Sequence, residues 1–210
     1  MKLLYFPFPV RAEAIRLALK AGGVTFEDAR FDPSEWPAIK PTTPRGQVPT
    51  LTLDDGSVVT ESVALLRLAG ALGSPRLYPA DAVAAARVDE AVDILRGAVE
   101  ALVGTHAPGL SVAEQVRLGA AALSPGAPVA AVLAWAEAAV GGNPAGPYVV
   151  GSGLSIADCL LKVIADWVTG PELAAAAFKG ALDAYPRVRG AVAATSAVPA
   201  IAAYEVALKQ

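Results

Sequence analysis

The segment Gly46-Gln47-Val48-Pro49-Thr50-Leu51, the turn Asp54-Asp55-Gly56 and the triplet Thr60-Glu61-Ser62 hold the residues whose types and order point to ligand chemistry. A proline at the first residue of a strand leaves no ladder donor to miss. A cis Val48–Pro49 bond would hold the preceding backbone in a tight turn, leaving the N–H and C=O of Val48 for something other than the sheet. Ser62 opens an apolar helical run. There a hydroxyl and free backbone N–H groups face outward together, an arrangement that suits a carboxylate. An open strand-like edge ending in an anion pocket is what a small acidic peptide requires.

The elements that must position these residues follow from periodicity and punctuation. Lys2 to Phe6 reads as a strand, Arg11 to Ala21 as a helix stopped by Gly22-Gly23, and Thr25 to Phe31 as a second strand. Pro33 to Lys40 is a loop with room for one helical turn. Pro49 to Leu53 and Ser57 to Val59 form a hairpin about Asp55-Gly56, and Ser62 to Leu72 is a helix ending at Gly73. A strand-helix-strand opening needs a parallel crossover, whereas the hairpin adds antiparallel strands. The expected unit, residues 1–73, is a thioredoxin-like α/β domain with a four-stranded mixed sheet. Residues 74–80, with two prolines, read as a linker. Residues 81–210 read as all-helical, with helices over Asp81–Val103, Pro128–Val140, Cys159–Val168, Glu172–Lys179, Pro186–Thr195 and Ile201–Leu208. Ser155-Ile156-Ala157-Asp158 has the form of a capping box with Asp in the Glu position. Abundant alanine makes close helix packing easy but blurs which face is buried.

Composition excludes several classes. The 17 basic and 20 acidic residues give a net charge of −3, without the basic excess of a nucleic-acid binder. One cysteine, Cys159, rules out an internal disulfide and suits a reducing compartment. A single Cys with a single His, His106, makes a metal site an unpromising reading. The uncharged run Leu118–Ala136 contains Pro125, Gly126 and Pro128 and would make a poor membrane span. Lys2, Arg11 and three prolines interrupt any signal-peptide core at the N-terminus. A soluble cytoplasmic protein is the plain expectation.

Tyr5-Phe6, Arg11-Ala12-Glu13-Ala14-Ile15-Arg16, Trp36, Lys40, Gln47-Val48-Pro49 and Glu61-Ser62, in that order, resemble the cytosolic glutathione transferases. The resemblance extends along the whole chain, through Asp93 and the Gly151–Asp158 segment. It is closest to the sigma class within the tyrosine-dependent alpha, mu, pi and sigma group. It implies a homodimer that uses reduced glutathione as co-substrate, with no tightly bound cofactor and no metal. It also implies that Tyr5 donates a hydrogen bond to the glutathione sulfur. A thiol of pKa ~8.5 is mostly protonated at neutral pH, and the thiolate is the nucleophile. Each unit of lowering takes ~1.4 kcal/mol of differential stabilisation, and a phenol O–H aimed at sulfur supplies such a charge-assisted bond.

By the same resemblance Ser62 holds the γ-glutamyl carboxylate, Glu61 faces the ammonium, and Gln47, Val48 and Pro49 meet the peptide backbone. Trp36 and Lys40 hold the glycine end, and Arg11 lies near the γ-glutamyl end. Asp93 reaches the ligand from the partner subunit. The electrophile pocket, by position, is lined by Phe6, Phe8, Pro9, Arg96, Val99 and Val103. Arg96 shares a helix face with Asp93 and either pairs with it or points at substrate. His106 reads as a loop residue and Cys159 as a core thiol.

Two departures stand out. Pro9 and Val10 occupy places where the family often shows Arg-Gly, which puts the conformation of the loop after Tyr5 in question. Arg45 stands where some classes place an aromatic that locks into the partner, so a more polar interface is expected. The implied chemistry is conjugation of glutathione to soft electrophiles or reduction of hydroperoxides. The alternatives are a glutathione-dependent isomerase of the prostaglandin D synthase type and a non-catalytic structural relative.

Overall fold

The computed structural model describes residues 1–107, 109–169 and 180–208. Strand β1 (Lys2–Tyr5), helix α1 (Glu13–Ala21) and strand β2 (Glu27–Arg30) form a crossover unit. The two strands are parallel, Lys2 opposite Glu27 and Tyr5 opposite Arg30. Short helical turns follow, among them α2 (Trp36–Ile39). Strand β3 (Thr50–Thr52) then runs antiparallel to β1 with Leu4 opposite Thr50, and β4 (Val58–Val59) completes the hairpin. The sheet order is β2-β1-β3-β4, so β1 is central. Leu3 and Tyr5 alternate inward along it, as the period of two demands.

Helix α3 (Ser62–Leu72) spans the range its apolar run predicts, and α1 is packed between it and α7 (Ile156–Thr169). This explains why nearly every residue of α1 is buried, including Glu13 and Arg16. The glycines read as helix stops have a second task. A Cβ on Gly73 would stand 2.5 Å from the Cα of Gly22. The ends of α1 and α3 therefore touch backbone to backbone, sealed by the Ser74 N–H donating to the Gly22 carbonyl at 2.9 Å.

Beyond β4 the described chain is helical: α4 (Ala82–Gly104), α5 (Val112–Ala122), α6 (Pro128–Gly142), α7, α8 (Pro186–Ser196) and α9 (Pro199–Ala207). Asp81 caps α4 by accepting from the Ala84 N–H at 2.8 Å. The sequence reading had no counterpart of α5. Its start is a full capping box, in which the Ser111 hydroxyl accepts from the Glu114 N–H and Glu114 reaches back to the Ser111 N–H. The helix expected over Glu172–Lys179 lies outside the described residues.

Asp158 performs the capping role read from the sequence, and more. It accepts from the N–H of Ser155 at 2.9 Å, the Ser155 hydroxyl at 2.7 Å and the Val149 N–H at 2.8 Å. Three donors hold the loop before α7 against the helix. That helix runs through the core beside α4, buried along most of its length. Cys159 within it is fully buried, and burial pushes its thiol pKa up, as expected of an inert core residue. No single helix among the described residues is long and apolar enough to cross a membrane.

Candidate active site

Tyr5 ends the central strand, and the β1–β3 register carries it alongside Pro49. Its side chain is buried. Burial pushes the phenol above its ordinary value of 10.0, while the Arg11 backbone N–H and the charges of Arg11 and Arg16 act in the opposite direction. The outcome is a phenol that keeps its proton at neutral pH. The N–H of Arg11 faces the oxygen, so the phenol proton is available to another acceptor. The Val48–Pro49 bond is cis, and the N–H and C=O of Val48 take no partner among the described residues. The peptide edge anticipated beside Tyr5 is thus open.

Ser62 is the first residue of α3 and is half-buried. No side chain caps this helix. The first N–H groups of α3 and the Ser62 hydroxyl therefore converge on one spot. The preceding residue, Glu61, has φ +69°, and Arg45 has φ +61°. Left-handed backbone at a non-glycine residue is strained and persists only where the surroundings dictate it. The two strained residues face each other, Arg45 Nη1 lying 3.0 Å from Glu61 Oε1. The sequence reading gave the Glu61 carboxylate to a ligand ammonium. In the structure it has this internal partner, in an exposed pair of small energetic weight.

Arg11 was placed near the γ-glutamyl end. It shares a small cavity with Ser62, Val63, Leu66, Arg96, Val99 and Glu100. Its guanidinium is not free there, because Nη1 and Nη2 grip the two oxygens of Glu100 at 2.6 and 2.8 Å. Glu100 escaped the sequence reading, since one more acid on an exposed helix face carries no signal. Arg96 is not among the partners of Asp93 and instead lines this cavity. Asp93 itself is 59% exposed, 3.9 Å from Arg67, which belongs to a tighter set with Asp89 and Tyr78.

The aromatic residues gather on the other side of Tyr5. Phe6 meets Tyr5 edge-on at 5.4 Å between centroids and stacks on Phe8 at 5.1 Å. Trp36 stacks on Phe31 at 5.8 Å and meets Phe6 edge-on, which supplies the packing an indole in a polar loop needs. Phe8 and Pro9 remain exposed. The electrophile-pocket residues thus divide: Phe6 adjoins Trp36 and carries Phe8 on its face, whereas Arg96 and Val99 adjoin Ser62 and Arg11. Val103 lies further along α4, half-buried. The Lys40 stem folds over Gly46, where a Cβ would stand 3.3 Å from Lys40 Cε. Neither the Lys40 ammonium nor the Gln47 amide has a partner among the described residues. His106 follows α4 as anticipated. Its Nδ1 lies 2.8 Å from Thr105 Oγ1, and its ring packs on Trp167. A larger cavity of about 280 Å³, lined by Arg87, Trp135 and Asn143 among others, contains none of the anticipated site residues.

The missed residues share a pattern. Glu13 and Arg16 stand three apart in the motif that carried the resemblance, and that spacing alone predicts a pair on one helix face. Their partners Asp28 and Tyr204 come from distant elements, and no local signal announces them.

Comparison with known proteins matches two family models. The model described as glutathione S-transferase, N-terminal domain, matches residues 1–68, and that described as glutathione S-transferase, C-terminal domain, matches residues 128–207. The chain is 48% identical over 71 residues to the glutathione S-transferase class-mu 28 kDa isozyme of Schistosoma japonicum, covering 32% of this chain and 34% of the relative. It is 42% identical over 66 residues to the hematopoietic prostaglandin D synthase of Gallus gallus, covering 31% and 33%. These alignments span about a third of the length of the curated relatives. The structure of prostaglandin synthase D of Nilaparvata lugens superposes with a TM-score of 0.81 at 25% identity, over 97% of this chain and 96% of that one. With both domain models matched in order and the likeness in structure running end to end, the chain belongs to the cytosolic glutathione S-transferase superfamily.

Proposed function

We propose that the protein is a glutathione transferase of the tyrosine-dependent group, most like the sigma class, in which Tyr5 stabilises the glutathione thiolate for attack on a soft electrophile or a hydroperoxide. The observation that carries the proposal is the conjunction at Tyr5. A buried phenol has its oxygen faced by the Arg11 N–H, beside an unpaired Val48 backbone. The arginine that supplies this N–H shares a cavity with Ser62 at an uncapped helix start.

In this reading Ser62 and the first N–H groups of α3 hold the γ-glutamyl carboxylate, and the Val48 main chain pairs with the cysteinyl unit. Lys40 and Trp36 hold the glycine end. Glu61 exchanges its contact with Arg45 for the ligand ammonium, which costs little because the pair is exposed. Residues 1–73 form the glutathione-binding unit, 74–80 the linker, and 81–210 the remainder of the electrophile pocket. The protein acts as a cytoplasmic homodimer and needs only reduced glutathione as co-substrate. Retention on immobilised glutathione, followed by turnover with a small panel of electrophiles and hydroperoxides, tests the proposal. Retention with turnover supports it. Retention without turnover on any substrate favours the non-catalytic relative. Absence of retention overturns the site.

The match to a prostaglandin D synthase favours one second reading, a glutathione-dependent isomerase that regenerates the same thiolate. An isomerisation assay that leaves total thiol unchanged separates the two.

A further inference from the structure

Helix α9 closes on the sheet through one hydroxyl. Tyr204 donates to Glu13 Oε1 at 2.9 Å and accepts from Arg30 Nη2 at 3.0 Å. The other oxygen of Glu13, Oε2, accepts from Arg16 Nη1 at 3.0 Å. Arg16 has no exposed side-chain surface. It gives Nε to Asp28 at 3.0 Å and Nη2 to the Phe6 carbonyl at 3.2 Å, and its guanidinium carbon lies 5.9 Å from the centre of the Tyr5 ring. An unbroken line of hydrogen bonds therefore joins the last described helix to the backbone just after Tyr5 and to the cation against its ring.

We propose that Tyr204 is a positioning residue for the Tyr5 site: its hydroxyl fixes the Glu13 carboxylate, which fixes Arg16, so that the C-terminal helix sets the field in which the thiol ionises. The inference rests on the reading of Tyr5 given above. The physical argument is one of over-determination. Glu13 is buried and its two oxygens answer two donors on different elements. Without the hydroxyl, Oε1 is a buried acceptor with no partner, the costly half of a broken hydrogen bond. The carboxylate then turns toward a cation and draws the guanidinium with it. Arg16 is one of the charges that acts to lower the Tyr5 phenol, so its displacement weakens the field favouring a thiolate beside that phenol.

The charged groups facing this cluster are known on each element packed against it. Glu13 and Arg16 lie on α1, Asp28 and Arg30 on β2, Tyr204 and Glu205 on α9, and Lys162 and Asp166 on α7. Lys162 is paired at 2.9 Å with Asp166 and at 2.6 Å with Glu205, which ties α7 to α9 behind the tyrosine. Neither pair uses the Tyr204 hydroxyl.

The test titrates the ultraviolet thiolate band of bound glutathione in the wild type, Tyr5→Phe and Tyr204→Phe proteins, with kcat and KM measured across the same pH range. The expected result for Tyr204→Phe is a midpoint raised by about half a pH unit. With it goes a roughly threefold loss of kcat/KM below the midpoint, little change above it and an unaltered KM for glutathione. A purely structural role would lower the melting temperature without moving the midpoint. A wild-type midpoint below that of free thiol with no shift in a folded Tyr204→Phe protein overturns the inference. If that variant does not fold, Arg30→Lys is titrated instead, because it keeps the charge but loses the fork by which Arg30 holds the Tyr204 hydroxyl and Asp28 together. A rise supports the proposal, and an unchanged midpoint overturns it. A wild-type midpoint equal to that of free glutathione is a different outcome. It means that Tyr5 does not activate the thiol, and the inference falls with that reading.

Discussion

Two side chains carry the proposed chemistry, and each has a separable readout. Tyr5→Phe removes one hydroxyl from a ring packed against Phe6 and Phe8, so the fold and glutathione retention should persist. The rate should fall on the order of 10²-fold, the scale of removing one donor to a developing anion. Unchanged turnover toward chlorodinitrobenzene would remove Tyr5 from the mechanism. Ser62→Ala deletes a hydroxyl that has no partner among the described residues, so stability should barely change. Hydrogen bonds to charged groups are worth ~1.5–3 kcal/mol, so glutathione should bind roughly ten- to a hundredfold more weakly by calorimetry. Equal affinity would reduce Ser62 to a helix start and nothing more. At this scale the sequence was informative where chemistry demands a residue type at a fixed place. Val48 keeps an unpaired backbone among the described residues, and Ser62 opens its helix, where the sequence placed them. Glu100, Arg45 as partner of Glu61, and Tyr204 were illegible, because each acts through a residue far along the chain. Surface acids and arginines look alike until the fold pairs them.

At the scale of elements, punctuation was legible and contact was not. The start and stop of α3 could be read from Ser62 and Gly73, but that Gly73 touches Gly22 could not. The consequence is a prediction with a definite sign. Gly73 has φ −77°, a conformation open to alanine, and replacing a compatible glycine normally stabilises by about 0.4–1 kcal/mol. Here the new Cβ would meet the backbone of α1, which cannot rotate away. Overpacking of this kind costs about 1–3 kcal/mol, so Gly73→Ala should be destabilised on balance in urea unfolding. A more stable variant would mean that the α1–α3 contact is loose. The absence of α5 from the sequence reading has a simpler cause. Ser111 and Glu114 form a full capping box, but the helix they start is alanine-rich and has only one buried residue among those described, Gly119. A lone buried glycine carries no apolar signal by which a buried face could be read.

The grip of Arg11 on Glu100 links the loop after β1 to α4, and it brings a pH dependence with it. Arg11 holds the Glu100 carboxyl below its usual value of 4.5. A depressed carboxyl stabilises the fold fully above the unfolded value and loses that contribution as pH falls through the folded value. The stability difference between the wild type and Glu100→Gln should therefore be constant at neutral pH and shrink in acid below about 4.5. A difference that grows toward acid would contradict the pairing. Because the pair is partly exposed, the effect should also weaken in high salt.

For the whole molecule, the question is whether one chain makes a complete site. Within the chain, Asp93 points outward from α4, with Arg67 at the limit of ion-pair distance. That exposure leaves it free to meet a second subunit if the chain dimerises as proposed. The sequence could supply the acid and its helix, but a second chain leaves no trace in the contacts of the first. With Arg45 turned to Glu61 and no aromatic at that position, a dimer interface would be polar, and its dissociation should increase with salt. Asp93→Asn should lower glutathione affinity modestly and leave the sheet and α1 intact. Mixing that variant with Tyr5→Phe then decides the geometry. If Asp93 acts across the interface, each mixed dimer has one site with both lesions and one with neither, and activity should rise above the mean of the two parents as subunits exchange. Exchange can be followed independently by labelling one parent. Full exchange with activity fixed at the mean would place Asp93 in the service of its own subunit, where Arg67 is its one ion-pair partner among the described residues, or remove it from the site.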